Sequence, residues 1–142
     1  MKAADAVWLV SHEATAGDVE VDKAGHELPY PALLVRGRPN EAIIKEKRLI
    51  KGAELAELIK ILGRPFRDHS TVSSQCFTPH HALFIRKGSR TSYVDSCFGC
   101  HVYNSSRDLW PVLENFDARR WRELQAYFKC KGFIYGFNLP DN

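Results

Sequence analysis

Apolar residues fall into short continuous runs over the first third of the chain, a pattern typical of strands buried in a sheet. Ala6–Ser11 is the first such run and Ala32–Arg36 is the second. The cluster Gly37–Asn40 predicts a turn after the second run. Ala42–Ile50 mixes apolar and charged residues, which favours a partly exposed strand, with a helix as the alternative.

Two later segments carry helical spacing instead. Gly52–Leu62 is the clearer one, because its apolar side chains recur on one face at Leu55, Leu58, Ile59 and Leu62. The second helix is predicted over Ala118–Lys131. Asp117 is its expected N-cap, and Phe116 before it is expected to pack on Trp121.

Between the two helices the chain predicts a β-hairpin. Ala82–Arg86 and Thr91–Ser96 are rich in strand-forming residues, and Gly88 and Ser89 between them fit a two-residue turn. That turn pairs Lys87 with Arg90, Ile85 with Ser92, Leu83 with Val94, His81 with Ser96, and His80 with Cys97. One more residue in the loop would instead place His81 opposite Cys97, and the sequence leaves the two registers open.

The order of elements predicts one α+β domain over residues 1–142. Its sheet is expected to be mostly antiparallel, with a central Cys/His-bearing hairpin and two main helices. Val102–Arg107 is expected to be a loop, and Phe133–Phe137 a last strand or a tail packed on the core.

Composition narrows the classes of partner. The net charge of +3 comes from 20 basic and 17 acidic residues that are spread along the chain, which argues against a nucleic-acid partner. No run approaches the ~18 apolar residues that a membrane span needs. We therefore expect a cytoplasmic protein as the chain stands, or a periplasmic one if a leader was removed. The oligomeric state cannot be derived from the sequence.

The candidate chemistry lies in residues 75–101, which hold three of the four cysteines and three of the six histidines. The hairpin is expected to bring Cys76, His81 (or His80), Cys97 and Cys100 together, since paired residues have Cβ atoms about 5 Å apart. Cys130 is left out of this group, because it lies about 180° around the second helix from the core stripe.

Several chemistries fit that group. A Cys₃His zinc site would use Cys76, His81, Cys97 and Cys100 as ligands, and a Cys-x-x-Cys turn supplies two of them at suitable separation. The same turn would serve as a thiol or disulfide pair. Simple packing of buried cysteines is the plainest alternative. Cys-x-x-Cys-His, ending at His101, also matches the haem-attachment pattern, but haem is unlikely without an export signal.

A resemblance adds to this pattern. Cys76–Ala82, followed by Cys97–Cys100, resembles a family of small uncharacterised bacterial proteins that carry Cys-(Phe/Tyr)-x-Pro-x-His-(Ala/Gly), a hairpin and then Cys-Phe-x-Cys. The resemblance implies that His81 is the motif histidine and that His80 occupies a variable position. It also implies that Cys-Phe-x-Cys is the unit, which counts further against haem.

These observations favour a non-enzymatic interaction protein with a structural Cys/His site. Small size and the lack of catalytic motifs make an immunity-type inhibitor of a partner toxin the specific version. The alternative is a thiol- or metal-dependent enzyme that uses Cys76, His81, Cys97 and Cys100.

Overall fold

A computed structural model describes residues 4–13, 20–21, 23–28, 32–63, 78–109 and 116–139. The strands are β1 Ala6–His12, β2 Glu20–Val21, β3 Glu27–Leu28, β4 Leu34–Val35, β5 Arg38–Pro39, β6 Ile44–Ile50, β7 His81–Lys87, β8 Arg90–Cys97 and β9 Val102–Ser105. The helices are α1 Ala53–Leu62 and α2 Ala118–Cys130, with a short 3₁₀ turn at Arg107–Leu109.

Five strands form one antiparallel sheet in the order β6-β1-β7-β8-β9. The pairs β2–β3 and β4–β5 form two small hairpins outside it. The predicted α+β class with a mostly antiparallel sheet is therefore confirmed. The Cys/His-bearing hairpin is β7–β8, and β7 is the middle strand of the sheet.

The sheet has two covered faces. The first face presents Val7, Leu9, Leu83, Ile85 and Val94 to the larger core, which also contains buried residues of α1 and α2. The second face presents Val10, Ala82 and Phe84 to a smaller core that includes Leu33 and Ile43. Since side chains alternate along a strand, each position in β7 and β8 is committed to one of these two cores.

The predicted start of the second helix is confirmed. The Asp117 carboxylate accepts the Arg120 backbone N–H at 2.8 Å, and the Phe116 ring lies 5.0 Å from the Trp121 ring. No described helix is long and apolar enough to cross a membrane.

The apolar stripe of α1 differs from the prediction at one position. Leu58, Ile61 and Leu62 are the buried residues of this helix, whereas Ile59 is only half-buried. The helix therefore presents the Ile61 side to the core, about 160° from Ile59 at 100° per residue.

Three further segments test predictions made from the sequence. Residues 44–50 form a strand, as expected. Val102–Ser105 also forms a strand, so the predicted loop there is wrong: this polar segment is held by backbone pairing to β8, which any residue type can supply. Residues 133–139 form a tail, and Phe133 of this tail is buried in the larger core.

The helix α2 offers a direct test of the larger core. Replacing fully buried Leu124 with Ala should lower the free energy of unfolding by about 2–5 kcal/mol, because it removes core contacts and leaves a cavity. Exposed Cys130 on the same helix is the matched control, and Cys130→Ala should change stability by less than about 0.5 kcal/mol. Urea unfolding measures both. Equal effects would contradict the assigned faces of α2.

Candidate functional site

The register of the β7–β8 hairpin is the one that a two-residue turn predicts. Lys87 lies opposite Arg90, and the pairing continues without a shift to His81 opposite Ser96. Cys97 follows Ser96, so it faces the opposite side of the sheet from His81. His81 therefore lies on the first face, and Cys97 lies on the second.

Cys97 and Cys100 do come together, in the turn that joins β8 to β9. Cys97 pairs with Val102, which closes a four-residue loop between them. The Cys100 backbone N–H donates to Cys97 Sγ at 3.2 Å. Thr78 Oγ1, just before β7, lies 3.9 Å from Cys97 Sγ and 3.9 Å from Cys100 Sγ.

Both of these cysteine side chains are buried. Cys97 is 0% exposed and Cys100 is 2% exposed. The Cys100 backbone N–H is thus a hydrogen-bond donor directed at the Cys97 sulfur from within the same turn.

His81 lies in an aromatic cluster instead. Its ring stacks on Phe137 with a centroid separation of 4.1 Å, and the rings of Phe98 and Phe128 lie 5.2 and 5.3 Å away. The side chain is fully buried, and neither ring nitrogen has a hydrogen-bond partner within the described part of the chain.

This environment keeps His81 neutral. The pKa of His81 is lowered from its ordinary 6.5 to about 3, and burial is the largest cause; the Tyr135 backbone opposes this shift, and the nearby rings of His12 and His80 contribute to it. That backbone group favours the protonated ring without meeting the geometry of a hydrogen bond. His81 therefore packs as an uncharged aromatic residue near neutral pH.

Of the two neighbouring histidines, His80 is the one on the same face as Cys97. Its Nδ1 lies 3.2 Å from the carbonyl oxygen of His12, to which it donates, and the His12 backbone N–H donates to the His80 carbonyl. His101 adopts a φ of 54° in the Cys97–Cys100 turn and stacks on Trp121 at 5.6 Å.

Only three of the four predicted metal ligands lie within the described residues. Cys76 lies outside the described residues, so its position relative to Cys97 and Cys100 stays a prediction. Over the ranges that the structure describes, no three His, Cys, Asp or Glu side chains are grouped so as to hold a metal ion. Cys130 is exposed on α2, as predicted.

A buried pair that sequence reasoning missed lies on the second face. His12 Nε2 is 2.8 Å from Asp95 Oδ1, and both side chains are at most 2% exposed. His12 Nδ1 contacts the Glu13 carbonyl oxygen. Both ring nitrogens therefore lie against oxygen atoms, and the imidazole and the carboxylate are hydrogen-bonding partners away from water.

The small side chain of Ala82 allows this contact. Ala82 pairs with Val10 of β1 on one side and with Asp95 of β8 on the other, so His12 reaches Asp95 diagonally across β7. A larger residue at this position would obstruct that path. The signal in the sequence was a polar Ser11-His12 pair ending an apolar strand, together with an Asp95 inside another strand.

Glu46 fixes the tail that covers His81. Its carboxylate accepts the backbone N–H groups of Ile134 and Tyr135 at 3.0 and 3.2 Å, and it accepts the Ser11 hydroxyl at 2.5 Å. These bonds hold the tail across the end of β1, which positions Phe137 on the His81 ring.

Comparison of the chain with protein families, curated proteins and solved structures found no match. The resemblance to the Cys-Phe-x-Cys family therefore stays a prediction, and the site has to be interpreted from its own geometry.

The neutral state of His81 predicts a specific pH dependence. Its folded pKa lies below its unfolded value, so its contribution to stability is complete above about pH 6.5 and is lost as the pH falls toward about 3, by roughly 1.4 kcal/mol per pH unit. His81→Phe should remove this loss. Urea unfolding of both proteins between pH 7 and pH 4 measures the difference.

The His81→Phe variant also distinguishes a packing role of His81 from a role as a metal ligand. At pH 7, His81→Phe should unfold at an equal or higher urea concentration, because it removes two unsatisfied buried nitrogens. A large loss of stability at pH 7, or a pH slope equal to that of the parent protein, would show that His81 has a bound partner.

The His12–Asp95 pair predicts an unequal effect of removing two carboxylates. Asp95→Ala should cost about 1–3 kcal/mol, because it leaves the buried His12 ring without its hydrogen-bond partner. Glu13→Gln is the control, since Glu13 pairs with Lys45 at the exposed surface and should contribute less than about 1 kcal/mol. Chemical unfolding at neutral pH compares them, and equally small losses would argue against a stabilising role of the buried pair.

Proposed function

We propose that this chain is a non-enzymatic binding protein whose Cys/His hairpin stabilises the fold. The observation that carries the proposal is the burial of the groups that would do chemistry: Cys97, Cys100 and His81 are each at most 2% exposed. A nucleophile or general base has to contact its substrate. Side chains buried in this way are suited to stabilising the fold and not to contacting a substrate.

In this proposal the Cys97–Cys100 turn binds a structural zinc ion. Two converging thiols and a backbone N–H directed at one of them suit zinc, which prefers thiolate ligands in a closed tetrahedral site. Cys76 is the proposed third ligand. His81 in its observed orientation lies on the other face, so the fourth ligand would come from elsewhere. Bound zinc would cross-link the β8–β9 turn to the segment before β7.

The specific form of the binding proposal is an immunity-type inhibitor of a partner toxin. The support for it is the single small α+β fold together with burial of the reactive groups. The basic composition, with a sequence pI of about 8.7, favours an acidic partner.

A thiol-dependent enzyme is the second candidate, and one observation favours it. The Cys100 N–H donated to Cys97 Sγ would also activate Cys97 as a nucleophile. Such an enzyme would need Cys97 to become accessible in solution.

Metal content and thiol reactivity distinguish the two candidates. The binding proposal expects about one zinc per chain in purified protein, and it expects Cys97 and Cys100 to resist alkylation until a chelator is added. Cys97→Ala should lose the metal and lower the melting temperature. Cys130→Ala is the control, because Cys130 is exposed and outside the site; it should keep both properties.

Two results would overturn these expectations. Metal-free protein with rapid alkylation of Cys97 near neutral pH would favour the thiol enzyme. A Cys97→Ala variant with an unchanged melting temperature and a lost activity would reject the structural role of the turn.

A further inference from the structure

Trp8 lies between two cations on the second face of the sheet. Lys47 Nζ is 5.4 Å from the centre of its ring, and the Arg86 guanidinium carbon is 5.2 Å away. Lys47 pairs with Val10 and Arg86 pairs with Ala6, so the two cations flank Trp8 along the strand direction. Both approach the indole at cation–π distance.

The two cations differ in what they contact. Lys47 Nζ forms an ion pair with the Glu41 carboxylate at 2.7 Å, which largely neutralises the charge of Lys47. Arg86 is exposed and has no carboxylate partner among the described residues. Glu41 is paired with Lys47, and the Asp5 carboxylate accepts the Gly88 backbone N–H. The guanidinium of Arg86 therefore keeps its donors available.

Contact with Trp8 prepares Arg86 to bind a planar anion. An arginine held near an aromatic ring has fewer rotamers to lose on binding, and its guanidinium carries N–H donors in a rigid fork. A carboxylate matches that fork with two parallel hydrogen bonds. This makes Arg86 a better anchor than a freely moving surface lysine.

An exposed leucine adjoins the cations. Leu49 is 46% exposed and lies directly opposite Trp8 on the edge strand β6. Trp8 itself is only half-buried, so its apolar edge and Leu49 form a continuous apolar strip. Burying such a strip would add about 25 cal/mol per Å² of apolar surface removed from water.

We propose that Trp8, Lys47, Leu49 and Arg86, hereafter the Trp8 patch, bind an acidic segment of a partner protein. One carboxylate of that segment binds the Arg86 fork, and an apolar side chain beside the carboxylate covers Leu49. The proposal rests on the proposed binding function and names the surface and the chemistry of its partner.

A protein segment fits the patch better than a nucleic acid does. Nucleotide bases bind by stacking on aromatic faces, whereas Lys47 and Arg86 already flank the Trp8 ring. A phosphate backbone is bound by a series of unpaired cations, and Lys47 is already paired with Glu41. The exposed Leu49 also has no role in binding phosphate.

Isotope-labelled full-length protein, titrated with a short synthetic peptide of alternating Glu and Leu, tests this proposal. The expected result is a shift of the Trp8 indole and Arg86 side-chain N–H signals in NMR spectra. Arg86→Gln should weaken binding about tenfold or more, because it removes charge-assisted hydrogen bonds. Arg122→Gln makes the same charge change at an exposed position on α2 and should bind as the parent protein does.

Three results would overturn the proposal. The first is equal binding of a peptide in which Gln replaces Glu, and the second is tighter binding of oligothymidine at the same signals. The third is the absence of any shift at Trp8 and Arg86. Metal content and thiol protection test the proposed function in separate experiments. Their outcome does not depend on these binding results.

Discussion

The register of the β7–β8 hairpin is the constraint on which the rest of the structure depends. Because side chains alternate along a strand, a slip of one residue would move either Leu83 or Val94 out of the core beneath the helices. The same slip would bring His81 to the side of Cys97. The core therefore decides the register, and with it the positions of His81 and Cys97 on opposite faces of the sheet.

Two fully buried histidines have different surroundings in the same fold. His12 faces a carboxylate and a carbonyl oxygen, so both of its ring nitrogens lie against oxygen atoms. His81 faces aromatic rings and has no hydrogen-bond partner within the described residues, so it is held neutral. Both lie at the same end of the sheet, where β1 and β7 are neighbours. Ala82 follows His81 in β7, and its small side chain leaves room for the His12 ring to reach Asp95 across that strand.

Local sequence patterns predicted the features of this structure that short-range interactions determine. The turn at Gly88 and Ser89 gave the correct register, and Asp117 gave the correct start of α2. The His12–Asp95 pair was beyond such reasoning, because its members lie 83 positions apart and meet only when β7 is placed between them. The Cys97–Cys100 turn was recognisable from spacing, but the face that it occupies depends on strand order.

The two proposed roles use different parts of the second face: the Cys97 end of β8 and the Trp8 patch on β6, β1 and β7. Phe84 lies in the same cross-strand row as Trp8 and is fully buried, whereas Trp8 and Leu49 remain partly open. Leaving apolar surface in water gives up stabilisation that a covering loop would supply. Cys97, Cys100 and His81 are buried, whereas Leu49, like Val35 and Ile134, stays exposed. Binding a partner at the Trp8 patch gives that exposure a reason, because the apolar strip and the Arg86 fork would be buried together.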